Sequence, residues 1–143
     1  MIKLFVQIAA LILISSYAIA GEISEADTGT YAILGRDNAP IDMYYRLSKS
    51  SDKWVMAGKK PGDTWKNISC DSGCDYSKAS DGEIKTYFPA DLRAKVDIVC
   101  IKNIAQAFCR YSPKGDSAKS AYVAIALVTG KPIPIFIRRV NSQ

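Results

Sequence analysis

The sequence predicts a mainly β domain: a small antiparallel barrel or sandwich of about seven or eight strands, with at most one short helix and two disulfides. Three observations carry that expectation. Short apolar or alternating runs recur along the chain, separated at short intervals by clusters of Gly, Pro, Asn, Asp and Ser. Four cysteines make an even set. The N-terminus reads as an export signal, which places those cysteines in an oxidising compartment.

Lys3 gives that signal its positive start, Leu4 to Leu13 an apolar core broken only by Gln7, and Ala18 and Ala20 the small residues needed before a cut in front of Gly21. The core is shorter than the roughly 20 apolar residues a membrane span requires. No cysteine near the cut offers a lipid attachment point. Residues 1–20 are therefore expected to be a cleaved leader and residues 21–143 a single periplasmic or secreted domain with no stable membrane anchor. Loss of Lys3 takes the formal charge from +5 to +4, with the two signs interspersed.

The elements follow from the turn residues. Gly29 to Leu34 is a strand, and Arg36 to Pro40 turns the chain into a second, Ile41 to Leu47. Ser48 to Asp52 is a polar turn before Lys53 to Ala57, and Gly58 to Asp63 separates that strand from Thr64 to Ile68. Cys70 to Gly82 is polar and reads as an exposed, cysteine-pinned loop. Glu83 to Phe88 fits a strand or a helical turn, and Pro89 opens a short helix through Ala94. Val96 to Ile101 and Gln106 to Tyr111 form a hairpin. Ser112 to Asp116 turns into Ala121 to Val128, apolar on both alternating faces and therefore a central strand or a short buried helix. In the last strand, Ile133 to Val140, Pro134 argues for an edge or a strand start. Trp54, Tyr44 and Phe108 read as core.

Cys70, Cys74, Cys100 and Cys109 allow three disulfide connectivities. The favoured one joins Cys100 to Cys109 across the hairpin and closes Cys70 to Cys74 around Gly73. The C-x3-C and C-x8-C spacings lack the paired knuckles of a zinc site, so no metal is expected.

The chain contains no histidine, which removes His-dependent triads, His-based zinc sites and imidazole pH switches. The remaining enzymatic alternative is a carboxylate-dependent hydrolase built from Asp63, Asp71, Asp75, Asp81 and Glu83, but most of these sit in polar turns with no apolar wall to raise a pKa. No catalytic residue and no cofactor are assigned. Lys59-Lys60, Lys131 and Arg138-Arg139, with Trp54 and Trp65, suit an anionic surface, while export argues against a nucleic-acid partner.

On the pinned loop, Ser72-Gly73-Cys74-Asp75-Tyr76 spells S-G-x-x-Y. This resembles the inhibitory loop motif of bacterial periplasmic lysozyme inhibitors, small exported β proteins whose projecting loop enters the lysozyme cleft. The resemblance implies Ser72, Gly73 and Tyr76 as partner-binding residues. Tyr111-Ser112-Pro113-Lys114-Gly115 is similar to the lysine-glycine loop of some members, which adds Lys114. A hydroxyl and an ammonium together suit a catalytic carboxylate pair. The same loop also reads as a disulfide-closed turn in which Ser72 and Gly73 only bend the chain.

The expected function is therefore a non-catalytic binding protein that inhibits an envelope or foreign cell-wall hydrolase, with an immunity protein against a rival's toxin as a close neighbour of that reading. The alternative is a small apolar-ligand carrier whose interior, lined by Tyr45, Met56 and Phe136, is open. An inhibitor calls for a filled core and a protruding loop.

Overall fold

In the computed structural model the described residues are 21–69 and 75–140. The leader, Cys70, Cys74, Ser72 and Gly73 lie outside them. Nine strands form one antiparallel sheet: β1 Gly29–Leu34, β2 Pro40–Ser50, β3 Lys53–Lys59, β4 Lys66–Asn67, β5 Ser77–Lys78, β6 Val96–Lys102, β7 Gln106–Pro113, β8 Ala121–Ala126 and β9 Ile133–Val140. Their order is β4-β3-β2-β1-β9-β8-β7-β6-β5, so two meanders meet at the β1–β9 pair and the sheet curls into a half-barrel. Helices α1 (Asp81–Tyr87) and α2 (Ala90–Arg93) fall between β5 and β6.

The mainly β expectation holds, with nine strands in place of seven or eight and two short helices in place of at most one. The extra helix has a local cause. Ser80 accepts a hydrogen bond from the Glu83 amide while the Glu83 carboxylate accepts one from the Ser80 amide, and this reciprocal cap settles 81–87 as helix rather than strand. The extra strand is β5, two residues long and too short to carry an alternating signal, while of the strand expected at Thr64 to Ile68 only Lys66–Asn67 pairs, as β4. Residues 48–50 extend β2 where a polar turn was expected, because Ser51 and Asp52 both take positive φ and close a two-residue hairpin with Ser50 opposite Lys53.

The curl creates one core on its inner face. Tyr31, Leu47, Met56, Val99, Phe108, Ala124 and Ile137 meet there from seven strands, with Tyr31 edge-on to both Phe108 and Tyr122. On the outer face, α1 and α2 lay Ile84, Phe88 and Leu92 over Cys100, Cys109, Val123 and Ile125. This second layer explains why β8 is apolar on both faces: it is a central strand covered on two sides. β9 is central too, and Pro134 is accommodated near its start, where the β1 ladder does not extend beyond Ile137.

Cys100 opposes Cys109 in the β6–β7 register and the two are joined in a disulfide, the only one among the described residues. Of the expected core aromatics, Phe108 is fully buried while Tyr44 and Trp54 are half-buried. Of the three residues named for a carrier interior, Tyr45 is partly buried against the inner core. Met56 is packed into the core and Phe136 points outward, 51% exposed.

The Ser51-Asp52 turn holds two β-carbon residues at φ near 50° and 62°. Replacing the pair with Asn-Gly is expected to raise stability by about 0.5–1 kcal/mol, read as a higher thermal midpoint. At the other end of the fold, Lys102 pairs with Glu83, and this hydrogen bond, with the Ser80 amide, holds the Glu83 carboxyl below its ordinary value. That stability is present above the unfolded carboxylate pKa of about 4.3 and lost as pH falls through the depressed folded value. Glu83→Gln is therefore expected to flatten the acid side of the stability curve, by less than about 1 kcal/mol for a pair this exposed, in urea unfolding from pH 6 to 3.

Candidate functional site

Residues 66–69 and 75–78 flank residues 70–74 and belong to the two edges of the sheet. β4 pairs with β3 and β5 pairs with β6. Four side chains fix these flanks. The Ser69 hydroxyl accepts from the Met56 amide at 2.7 Å and donates to the Met56 carbonyl at 3.2 Å. Asn103 donates to the Ser69 carbonyl, while its own carbonyl oxygen accepts from the Ala105 and Gln106 amides. Gln106 donates to the Ile68 carbonyl and, at 2.8 Å, to the Tyr76 hydroxyl. Asp75 pairs with Lys53 on the surface.

Tyr76 is thus a supporting residue. Its ring packs against the inner core, and burial raises its hydroxyl pKa above the ordinary value, with hydrogen bonds from Ser69, Gln106 and Asn103 acting the other way. Beside these flanks, the β6–β7 turn exposes Ile104 (81%), and the β8–β9 turn exposes Val128 (74%). These two turns are tied by the Leu127 amide, which donates to the Ala105 carbonyl. Sequence reading missed this apolar pair, because single apolar residues in turns carry no periodicity.

Lys114 lies elsewhere. Ser77 opposes Lys102 at one end of β6, whereas Pro113 opposes Val96 at the other, and the Lys114 amide donates to the Lys95 carbonyl. Along β6 the separation from Tyr76 is about eight residues, or roughly 26 Å at ~3.3 Å per residue. The described geometry does not bring the lysine beside the serine–tyrosine loop.

No known family model, curated protein or solved structure matches this chain.

The acidic residues considered for hydrolysis do not converge. Asp75 is held by Lys53 and Glu83 by Lys102, Asp81 begins α1, Asp63 lies in the β3–β4 loop, and Asp71 lies outside the described residues. Among the described residues no three His, Cys, Asp or Glu side chains gather into a metal site.

The most deeply buried charge is one that sequence reading passed over. Asp27, 1% exposed, ends a 3-10 turn, Glu25–Asp27. Arg110 Nη1 reaches both carboxylate oxygens at 2.8 and 2.6 Å, Tyr122 donates at 2.8 Å, and the Ser24 amide donates at 2.8 Å. Arg139 donates to the Ala26 carbonyl and the Tyr31 hydroxyl, and its guanidinium stands over the Tyr31 and Tyr122 rings. Burial, then the bond to Asp27, pushes the Tyr122 pKa far up, so its hydroxyl stays a donor. The signal was available in Ser24-Glu25-Ala26-Asp27, an S-x-x-D cap signature. The cluster borders an open hollow of about 610 Å³, and the bonds on both Asp27 oxygens make it a structural pin.

Asp27→Asn leaves the Arg110 charge without its buried partner. It is expected to cost about 3 kcal/mol, measured as a lower urea midpoint at unchanged m-value.

Proposed function

We propose that this chain is an exported, non-catalytic binding protein that inhibits a lysozyme-type or other cell-wall hydrolase, with the 70–76 loop as its projecting element. The observation that carries the reading is the paired anchoring of that loop: Ser69 on one side, through Met56 and Asn103, and Tyr76 on the other, through Gln106. A loop held at both ends loses less conformational freedom when it enters a cleft, and so binds more tightly for the same contacts. The exposed Ile104 and Val128 beside it offer apolar contact at the rim of such an interface. A filled inner core supports a protein that acts at its surface over a barrel that carries a ligand inside.

In this reading Ser72 is the residue that meets the partner's carboxylates, Gly73 allows the bend, and Tyr76 holds the loop. Lys114 serves a separate contact at the far end of the β6–β7 hairpin. The leader and periplasmic or secreted location belong to the same proposal, supported by the buried Cys100–Cys109 disulfide, a bond favoured in oxidising compartments. No helix of the described residues is long and apolar enough to cross a membrane.

The test is a cell-wall lysis assay with purified lysozymes of several families, with and without the mature protein. Inhibition at near-stoichiometric ratios is expected. Ser72→Ala should weaken it at least tenfold without moving the thermal midpoint, while Tyr76→Phe should cost about 1 kcal/mol of stability and weaken inhibition less. Absence of inhibition against every hydrolase tried, or full inhibition by Ser72→Ala, overturns the reading.

A further inference from the structure

A cleft of about 300 Å³ opens where β2 and β3 meet the loop leading into β4. Its walls include Ile33, Met43, Tyr45 and Ile68, all packed on the inner core. Gly58 forms part of its floor: a β-carbon there would come within 3.3 Å of the Ile68 side chain, so glycine lets Ile68 lie close to the sheet.

The rim is cationic. Lys59 ends β3, Lys60 follows it, and Lys66 opens β4 after the chain reverses through Pro61-Gly62, with Gly62 at φ 76° and the Asp63 amide donating to the Lys60 carbonyl. Lys59, Lys60 and Lys66 all line this one cleft. Among the described residues Asp63 is the only carboxylate lining the cleft, and none of the three lysines has an ion-pair partner. The Tyr45 hydroxyl, whose pKa burial raises, remains a protonated donor.

An apolar wall under an excess of unpaired ammonium groups matches one kind of ligand: an amphiphile with a short acyl body and a single anionic head. The volume lies at the small end of the ~300–1,000 Å³ range of ligand pockets, which favours one chain over a two-chain lipid. We propose that this cleft binds a free medium-chain carboxylic acid, the acyl chain against Ile33, Met43, Tyr45 and Ile68 and the carboxylate among Lys59, Lys60 and Lys66. The site is independent of the 70–76 loop and does not rest on hydrolase inhibition.

The experiment is calorimetric titration of the mature protein with decanoate, decanol and decyltrimethylammonium, all kept below their micelle thresholds. Decanoate should bind one per chain with a Kd on the order of 0.1 mM, decanol at least tenfold more weakly, and the cation not measurably. The double variant Lys59→Gln, Lys66→Gln should weaken decanoate at least fivefold at unchanged thermal midpoint, since Lys66 is exposed, Lys59 is only half-buried and neither has an ion-pair partner among the described residues. Equal affinity for decanoate and decanol, unchanged binding by the double variant, or no decanoate binding at 2 mM (about twentyfold the expected Kd) overturns the proposal. So does binding to anionic phosphatidylglycerol vesicles without binding to decanoate, which would assign the lysines to a membrane surface.

Discussion

The rest of the structure depends on how a single sheet satisfies its own edges. Nine strands in one antiparallel layer leave two edge strands whose free backbone groups invite pairing with another chain. Here the edges are β4 and β5, consecutive in sequence and only two residues each. Residues next to both edges meet on the β6–β7 turn, where Asn103 and Gln106 donate to the Ser69 and Ile68 carbonyls and Gln106 to the Tyr76 hydroxyl. Ser69 also bonds to Met56. The bonds that tie the two edges together also hold both flanks of residues 70–74.

Asp27 solves a different problem. The residues before β1 have few backbone partners of their own, yet Ile23 enters the inner core. A carboxylate that accepts from Arg110 and Tyr122, residues 83 and 95 positions away, ties that short segment to β7 and β8. Removing water from a carboxylate is costly, and the cost is offset only because each oxygen has charged or polar donors at good distance. Arg139, on β9, extends the same cluster to β1 through Tyr31, so four strands and the N-terminal segment share one polar pin in an otherwise apolar interior.

The sequence was most legible where side chains repeat with a period. Gly29 to Leu34 and Ile133 to Val140 match the observed strands, and the apolar run from Ala121 marks a central strand because α1 and α2 cover its second face. Cys100 and Cys109 were placed opposite each other by hairpin spacing alone. What escaped was local or long-range chemistry. The Ser80 cap decides α1, yet the residues after it read equally as strand. The positive φ at Ser51 and Asp52 hides a tight turn, since neither residue is the glycine or asparagine that normally announces one. Of the candidate site, Tyr76 was visible as part of a short motif, but its anchor Gln106 lies 30 residues away. Phe136 was placed inside by its apolar neighbours, and only the alternation of β9 against β8 turns it outward.

The Cys100–Cys109 bond is fully buried between the sheet and the α1–α2 layer. An oxidant therefore reaches the two thiols only while that layer is undocked, and the hairpin they join is local, its cysteines nine residues apart. The bond accordingly has to form before the helices finally close over it. In the finished protein the same cover works in reverse. A reducing agent meets the sulfurs only when the helical layer lifts, so the lifetime of the bond in a reducing environment depends on the opening of α1 and α2 as well as on the chemistry of exchange.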